Sequence, residues 1–170
     1  MIIDLANVGT EPKMIEREFE PGDIDLEGEV VSLMGPVSIT GEMAREGKRA
    51  ILTANVNADA ALVCSRCIEP VERHLDFEFR DIFVEPTDLD SGSEAEIADD
   101  QLDESLAVDG KIDLVEVVRE QLLLAIPEQI FCKDDCRGLC PKCGENLNLI
   151  DCKCADDEID PRWAALKNLK

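Results

Sequence analysis

The chain has 170 residues, with 17 Lys and Arg against 39 Asp and Glu, a formal charge of −22. That balance argues against gripping a nucleic-acid backbone or an anionic membrane surface, since each phosphate contact needs a cation. It favours basic proteins as partners. The length suits one domain of ordinary size, or one domain with a small appendage, and at this size roughly 70% of the unfolded surface can be buried without help from disulfides.

The first residues, Met1-Ile2-Ile3-Asp4-Leu5, lack the basic start and long apolar run of a secretory signal. No stretch approaches the roughly eighteen apolar residues of a membrane span. The expected location is therefore cytoplasmic, where thiols stay reduced and clustered cysteines more often mean metal than disulfide.

Residues 1–86 read as an antiparallel β domain. From Ala50, the even positions Leu52, Ala54, Val56, Ala58, Ala60 and Leu62 are apolar, while Thr53, Asn55, Asn57 and Asp59 fall between them. A period of two gives a strand with one buried face. Val71, Leu75, Phe77, Phe79 and Phe83 alternate in the same way with Glu72, His74, Asp76, Glu78 and Arg80, and Val37, Ile39 and Met43 with Ser38, Thr40 and Glu42. Gly35-Pro36 and Glu46-Gly47 mark the turns. Segments near Ile2–Val8 and Met14–Phe19 are expected to add strands to this meander, giving a curled sheet or open barrel.

Residues 87–110 hold nine acids and no base, the composition of a solvated, mobile loop that repels itself. The spacing then predicts a helix over 112–126, within a segment 111–127 packed on the sheet. Asp113 and Glu116 stand at capping-box spacing, Ile112 and Val117 suit a hydrophobic staple, and Leu114, Val117, Val118, Leu122 and Ala125 form one apolar stripe. Pro127 stops it. Residues 128–170 form a Cys-rich segment, with a short final helix starting at Asp160-Pro161 and carrying Trp163, Leu166 and Leu169. The fold class expected is α+β.

Eight cysteines fall into four close pairs: Cys64/Cys67, Cys132/Cys136, Cys140/Cys143 and Cys152/Cys154. Two residues between cysteines let both sulfurs point at one ion, and four thiolates at about 2.3 Å complete a tetrahedral zinc shell. Eight suffice for two such sites. Spacing alone leaves the partnering of pairs open, but the short step from Cys140/Cys143 to Cys152/Cys154 leaves Cys64/Cys67 with Cys132/Cys136. Such a site contributes on the order of 10 kcal/mol, comparable to the net stability of a domain, about 5–15 kcal/mol.

Other chemistry on the same residues fits less well. A redox dithiol of the thioredoxin kind would open a helix, whereas Cys64/Cys67 lies between two strands. An iron–sulfur cluster could use four thiolates, but the spacing from Cys132 to Cys143 departs from the common ferredoxin run. A closed four-thiolate shell leaves no position for a reactive water. His74, the lone histidine, falls on a polar strand face, and no Ser–His–acid set, phosphate-binding loop or dinucleotide signature is present. The chain does not read as an enzyme.

Cys64-Ser65-Arg66-Cys67-Ile68-Glu69-Pro70 resembles the C-x-R-C-L-x-P stretch of the bacterial YceD family. Further resemblance lies in Ile112-Asp113-Leu114 through Val118-Arg119-Glu120-Gln121-Leu122-Leu123-Leu124-Ala125-Ile126-Pro127, in Cys136-Arg137-Gly138-Leu139-Cys140-Pro141-Lys142-Cys143-Gly144-Glu145-Asn146-Leu147-Asn148, and in Asp160-Pro161-Arg162-Trp163-Ala164-Ala165-Leu166. The motifs occur in order over roughly residues 25–170. The family comprises large ribosomal RNA subunit accumulation proteins, so the resemblance implies a part in synthesis, processing or stability of that RNA. Together with the charge, it points to a non-catalytic ribosome-biogenesis factor contacting basic ribosomal proteins or large-subunit assembly intermediates. Two alternatives use the cysteines directly. One is RNA binding by a zinc knuckle, although residues 132–154 carry four bases against four acids and only Phe131 beside them could stack on a base. The other is a thiol redox or zinc-release switch.

Overall fold

The structure, a computed structural model, describes residues 1–26, 31–85 and 104–154. Its centre is a pair of fifteen-residue strands, β5 (Arg49–Val63) and β6 (Pro70–Val84), joined as one long antiparallel hairpin. Every residue from Ala50 to Val63 has a partner, from Ala50 opposite Phe83 to Val63 opposite Pro70. The even positions of β5 are buried throughout, as their alternation demands.

The other edge of β5 is shared end to end by two strands. β4 (Val37–Glu46) pairs with Arg49–Asn57, and β3 (Val31–Leu33) with Ala60–Leu62. Gly47 takes a φ of +63° in the turn between β4 and β5, a conformation glycine adopts without Cβ strain. β2 (Lys13–Phe19) pairs with β4 and closes that side.

Three features depart from an antiparallel meander. First, the sheet is mixed: β7 (Glu104–Leu106) runs parallel to the end of β6, with Ile82 opposite Glu104 and Val84 opposite Leu106. A parallel return needs a long connection, and residues 86–103 provide its length. The Arg49 guanidinium anchors the strand by pairing with the buried Glu104 carboxylate. Of the acidic stretch expected to run as a loop to Gly110, Glu104–Leu106 is therefore strand.

Second, the amino terminus does not join the meander. Only Ile2–Asp4 is extended (β1), and it pairs with β8 (Lys111–Asp113) in a separate two-stranded ribbon. Leu5–Asn7 then forms a 3-10 turn, with the Asp4 carboxylate accepting from the Ala6 N–H, and Leu5 inserts into the core. Third, the helix α1 spans Leu114–Ala125, because Ile112 is already committed to β8 opposite Ile3. Asp113 caps it, accepting from the Val115 N–H at 3.1 Å. The final helix expected from Asp160 lies outside the described residues.

α1 packs against β6 and β8. Its Leu114, Val117, Val118 and Leu122 meet Ile39, Met43, Leu52 and Val56 in the main core. A second, smaller core lies at the far end of the hairpin, built from Ala60, Leu62, Cys64, Cys67, Val71, Ile130 and Cys136. The same period of two that buries Leu62 carries on to bury Cys64. The strand pattern therefore aims a thiol into an apolar pocket.

Gly41 lies in β4 opposite Ile15 on one side and Ala54 on the other. A Cβ there would lie 2.5 Å from the Ala54 Cα and Cβ and nearer still to the Thr53 carbonyl. The Thr53 carbonyl and Ala54 Cα are backbone atoms of a paired strand, and the Ala54 Cβ is fixed to them, so none can turn aside. Gly41→Ala is expected to lower unfolding free energy by about 1–3 kcal/mol. Gly35→Ala, with open space around it, should change it by less than about 0.5 kcal/mol. Equal urea midpoints for the two variants would contradict this close approach at Gly41.

Candidate metal centres

The turn from β5 to β6 carries the first cysteine pair. The Cys64 N–H donates to the Glu69 carbonyl at 2.9 Å, and the Ile68 N–H to the Cys64 carbonyl at 3.0 Å. Ile68 has a φ of +64°, a left-handed conformation that is strained for a β-branched side chain. The same frame recurs at Cys140. The Cys140 N–H donates to Glu145 at 2.8 Å, the Gly144 N–H to Cys140 at 2.9 Å, and Gly144 has a φ of +76°. Two segments far apart in sequence thus fold into one knuckle geometry, each placing two sulfurs on the same side of a turn.

Cys132 and Cys136 meet the first knuckle after α1. The approach is held by several contacts. The Ser65 N–H donates to the Ile130 carbonyl at 2.7 Å, and the Ile130 N–H returns a bond to Ser65 Oγ at 3.0 Å. The Arg66 guanidinium donates to the Cys136 carbonyl at 3.0 Å and lies 4.2 Å over the Phe131 ring. The Leu139 N–H donates to the Arg66 carbonyl, and Gly138, at φ +74°, passes so near that carbonyl that a Cβ would sit 3.0 Å from it.

The result is two groups of four sulfurs. Cys64, Cys67, Cys132 and Cys136 form one, and Cys140, Cys143, Cys152 and Cys154 the other, with all sulfurs of a group within 4.8 Å of one another. All eight thiols are free. The shortest approaches are 3.8 Å for Cys64–Cys136, 3.6 Å for Cys67–Cys132, 3.7 Å for Cys143–Cys152 and 3.3 Å for Cys140–Cys152. A disulfide requires about 2.0 Å. Four sulfurs at about 2.3 Å from a common centre stand about 3.8 Å apart, so the spacing suits a tetrahedral ion. Both clusters could hold a metal ion.

Amide hydrogens complete the donor environment. Burial pushes the Cys64 thiol up, but the amides of Arg66, Cys67 and Cys132 outweigh it and bring the pKa down to about 6. The Asn148 side-chain amide, 3.3 Å away, draws Cys136 down. Cys140 is likewise lowered to about 6 by the amides of Cys143 and Lys142. Their neighbours move the other way. Loss of water around the sulfur inside the cluster, and then the adjacent sulfurs, push Cys132 up to about 12 although the residue is exposed, and Cys152 with Cys143 push Cys154 up to about 12. The Glu69 amide pulls on Cys67, yet burial and Cys64 leave it raised. Four packed thiols cannot all ionise alone, because thiolates repel. A dication in their midst removes that obstacle.

Asn148, Ser65, Gly138 and the Arg66–Phe131 stack were not visible as site residues in the sequence. Nothing in their spacing marks them; they matter because the chain folds back on the hairpin tip. His74 is exposed, with Nδ1 2.7 Å from Asp59 Oδ1 and Nε2 3.2 Å from Asn57. Among the described residues, no helix is long and apolar enough to cross a membrane.

The family described as "Large ribosomal RNA subunit accumulation protein YceD" matches residues 52–170. The chain belongs to the YceD family. It is 27% identical over 170 residues to an uncharacterized protein of Mycobacterium tuberculosis, covering 98% of this chain and 79% of that one. It is 29% identical to the uncharacterized protein YlbN of Bacillus subtilis, covering 80% and 75%. A chloroplastic protein of Arabidopsis thaliana, named large ribosomal RNA subunit accumulation protein YCED homolog 1, is 28% identical, covering 79% of this chain and 49% of the relative. No solved structure matches.

The thiol pattern has a pH consequence. At pH 7 the raised thiols Cys67, Cys132, Cys152 and Cys154 hold their protons, so a metal must displace them. Binding should release at least two protons per ion, and affinity should rise with pH. Below about pH 6, Cys64 and Cys140 also protonate and affinity should fall more steeply. Calorimetric titration in buffers of differing ionisation enthalpy measures this release. Heats independent of the buffer would contradict it.

Proposed function

We propose that this protein is a non-catalytic factor in large-subunit ribosome biogenesis, which holds zinc in both four-cysteine clusters and works by contacting basic ribosomal proteins. Membership of the YceD family, with plant relatives named for large ribosomal RNA subunit accumulation, supports the process. Zinc suits the donor set: it favours tetrahedral thiolate sites, has no redox state to manage and needs no vacant position. A closed shell of this kind builds structure and leaves no bound water to activate.

The observation that carries the protein-contact reading is the charge of −22 together with where some of it lies. On the outer face of the sheet, short Thr40, Thr53, Asn55 and Asn57 lie among Glu16, Glu42, Asp76 and Glu78, with Arg80 opposite Thr53, so acids outnumber bases across these neighbouring strands. Cationic proteins are drawn to such a field, and phosphates are repelled by it. Stacking of RNA bases is disfavoured as well, since Arg66 already covers a face of Phe131.

A tagged chain recovered from growing cells at low salt should bring down basic large-subunit proteins, and those should be lost by about 0.5 M salt, where charge steering is screened. Recovery of no ribosomal protein, or retention of naked ribosomal RNA by the purified chain at about 50 mM salt, would contradict the reading.

A further inference from the structure

We infer that the two clusters hold metal on unequal terms: Cys140, Cys143, Cys152 and Cys154 form an exchangeable site for thiophilic divalent cations, whereas Cys64, Cys67, Cys132 and Cys136 release an ion only when the surrounding fold opens. This rests on the metal-binding reading and goes beyond it by assigning the clusters different roles.

The first difference is access. In the hairpin-tip cluster, Cys64 is 1% exposed, Cys67 3% and Cys136 3%, and all three belong to the second apolar core. Only Cys132 is exposed. In the other cluster, Cys140 is buried, Cys152 is half-buried, and Cys143 and Cys154 are exposed. A chelator removes a metal by replacing cysteine sulfurs one at a time. Each step makes one new bond to the metal and frees one thiolate, which solvent can protonate. That sequence needs an open side, and Cys143 and Cys154 supply one.

The second difference is what must move. Parting the hairpin-tip sulfurs separates segments 65 and 72 residues apart in sequence. It breaks the Ser65–Ile130 pair of bonds, the Arg66 contacts with Cys136 and Phe131, and the Leu139–Arg66 bond. In the second cluster, Cys140 and Cys152 are only 12 residues apart. The amides that reach its sulfurs belong to the same short segment: Lys142 and Cys143 for Cys140, Cys154 for Cys152. Among the described residues, opening it displaces 151–154 and breaks the exposed Arg137–Asp151 pair at 2.8 Å, a contact of little weight in water.

Besides that surface pair, the links that could tie one event to the other lie upstream of Asp151. The Asn148 amide reaches Cys136 at 3.3 Å, and the Leu147 N–H reaches the Gly138 carbonyl at 2.9 Å. Both can persist while Cys152 and Cys154 swing away. Occupancy of the second cluster is then set by free metal and competing thiols in the surroundings, while the fold stays intact. It can report metal availability in a way the first cluster cannot.

Local openings cost far less than global unfolding. With the full chain loaded with zinc, excess 4-(2-pyridylazo)resorcinol should remove one equivalent at least about a hundredfold faster than the other, with the near-ultraviolet circular dichroism unchanged during the fast phase. Native mass in parallel should show a one-zinc intermediate. Cys154→Ser should abolish the fast phase and keep one slowly released ion. Two ions leaving in a single phase, or a fast phase that survives in Cys154→Ser, would overturn the inequality alone. A chain that carries no metal in the starting native mass would overturn the metal-binding reading along with it.

Discussion

Four clustered thiols, three of them buried in an apolar pocket, are the constraint on which this fold depends. Cys64, Cys67 and Cys136 are buried and Cys132 closes the group, all four sulfurs lying within 4.8 Å. Left to themselves, such groups share few charges and hold their protons against one another. Around a dication they become four favourable bonds. The cluster also joins the tip of the long hairpin to the chain emerging from α1, across more than sixty residues. A cross-link that spans so much chain removes more conformational freedom from the unfolded state than a local one would. With an ion bound there, the sheet, the helix and the Cys-rich segment would be tied into one cooperative body.

The hairpin explains how the cluster is aimed. β5 and β6 are registered along their whole length, so the alternation established in the main core is carried without slippage to the second. A shift of one residue would turn Leu62 and Cys64 outward together. Strand register and sulfur placement are a single property of the sequence. The positive φ at Ile68 is the cost of that turn, accepted by a residue with no conformational taste for it.

Much of this could be read from residues alone. The even-numbered apolar run from Ala50 to Leu62, the polar-apolar alternation from Val71 to Phe83 and the stripe of Leu114 to Leu122 each announce their element. Knuckle spacing announced the sulfurs, and short separation suggested which pairs belong together. What was illegible depended on contacts distant in sequence. Glu104-Ser105-Leu106 has no periodicity, and its parallel pairing follows from Arg49 waiting for Glu104 and from a free edge on β6. Ile2–Asp4 seemed a meander strand until Ile112 is seen opposite Ile3. The first knuckle lacks the glycine that marks the second, so Cys64-x-x-Cys67 reads as weaker than its geometry is. Ser65, Gly138 and Asn148 gain their roles only when the chain returns to the hairpin tip.

The account stands or falls on the sulfur environment of a bound ion. X-ray absorption at the zinc edge, on protein purified without added metal and quantified for zinc, measures it directly. The expected result is a shell of four sulfurs at about 2.3 Å with no nitrogen or oxygen contribution. A shell containing light-atom ligands, or a protein whose thiols are paired as disulfides without metal, would contradict it.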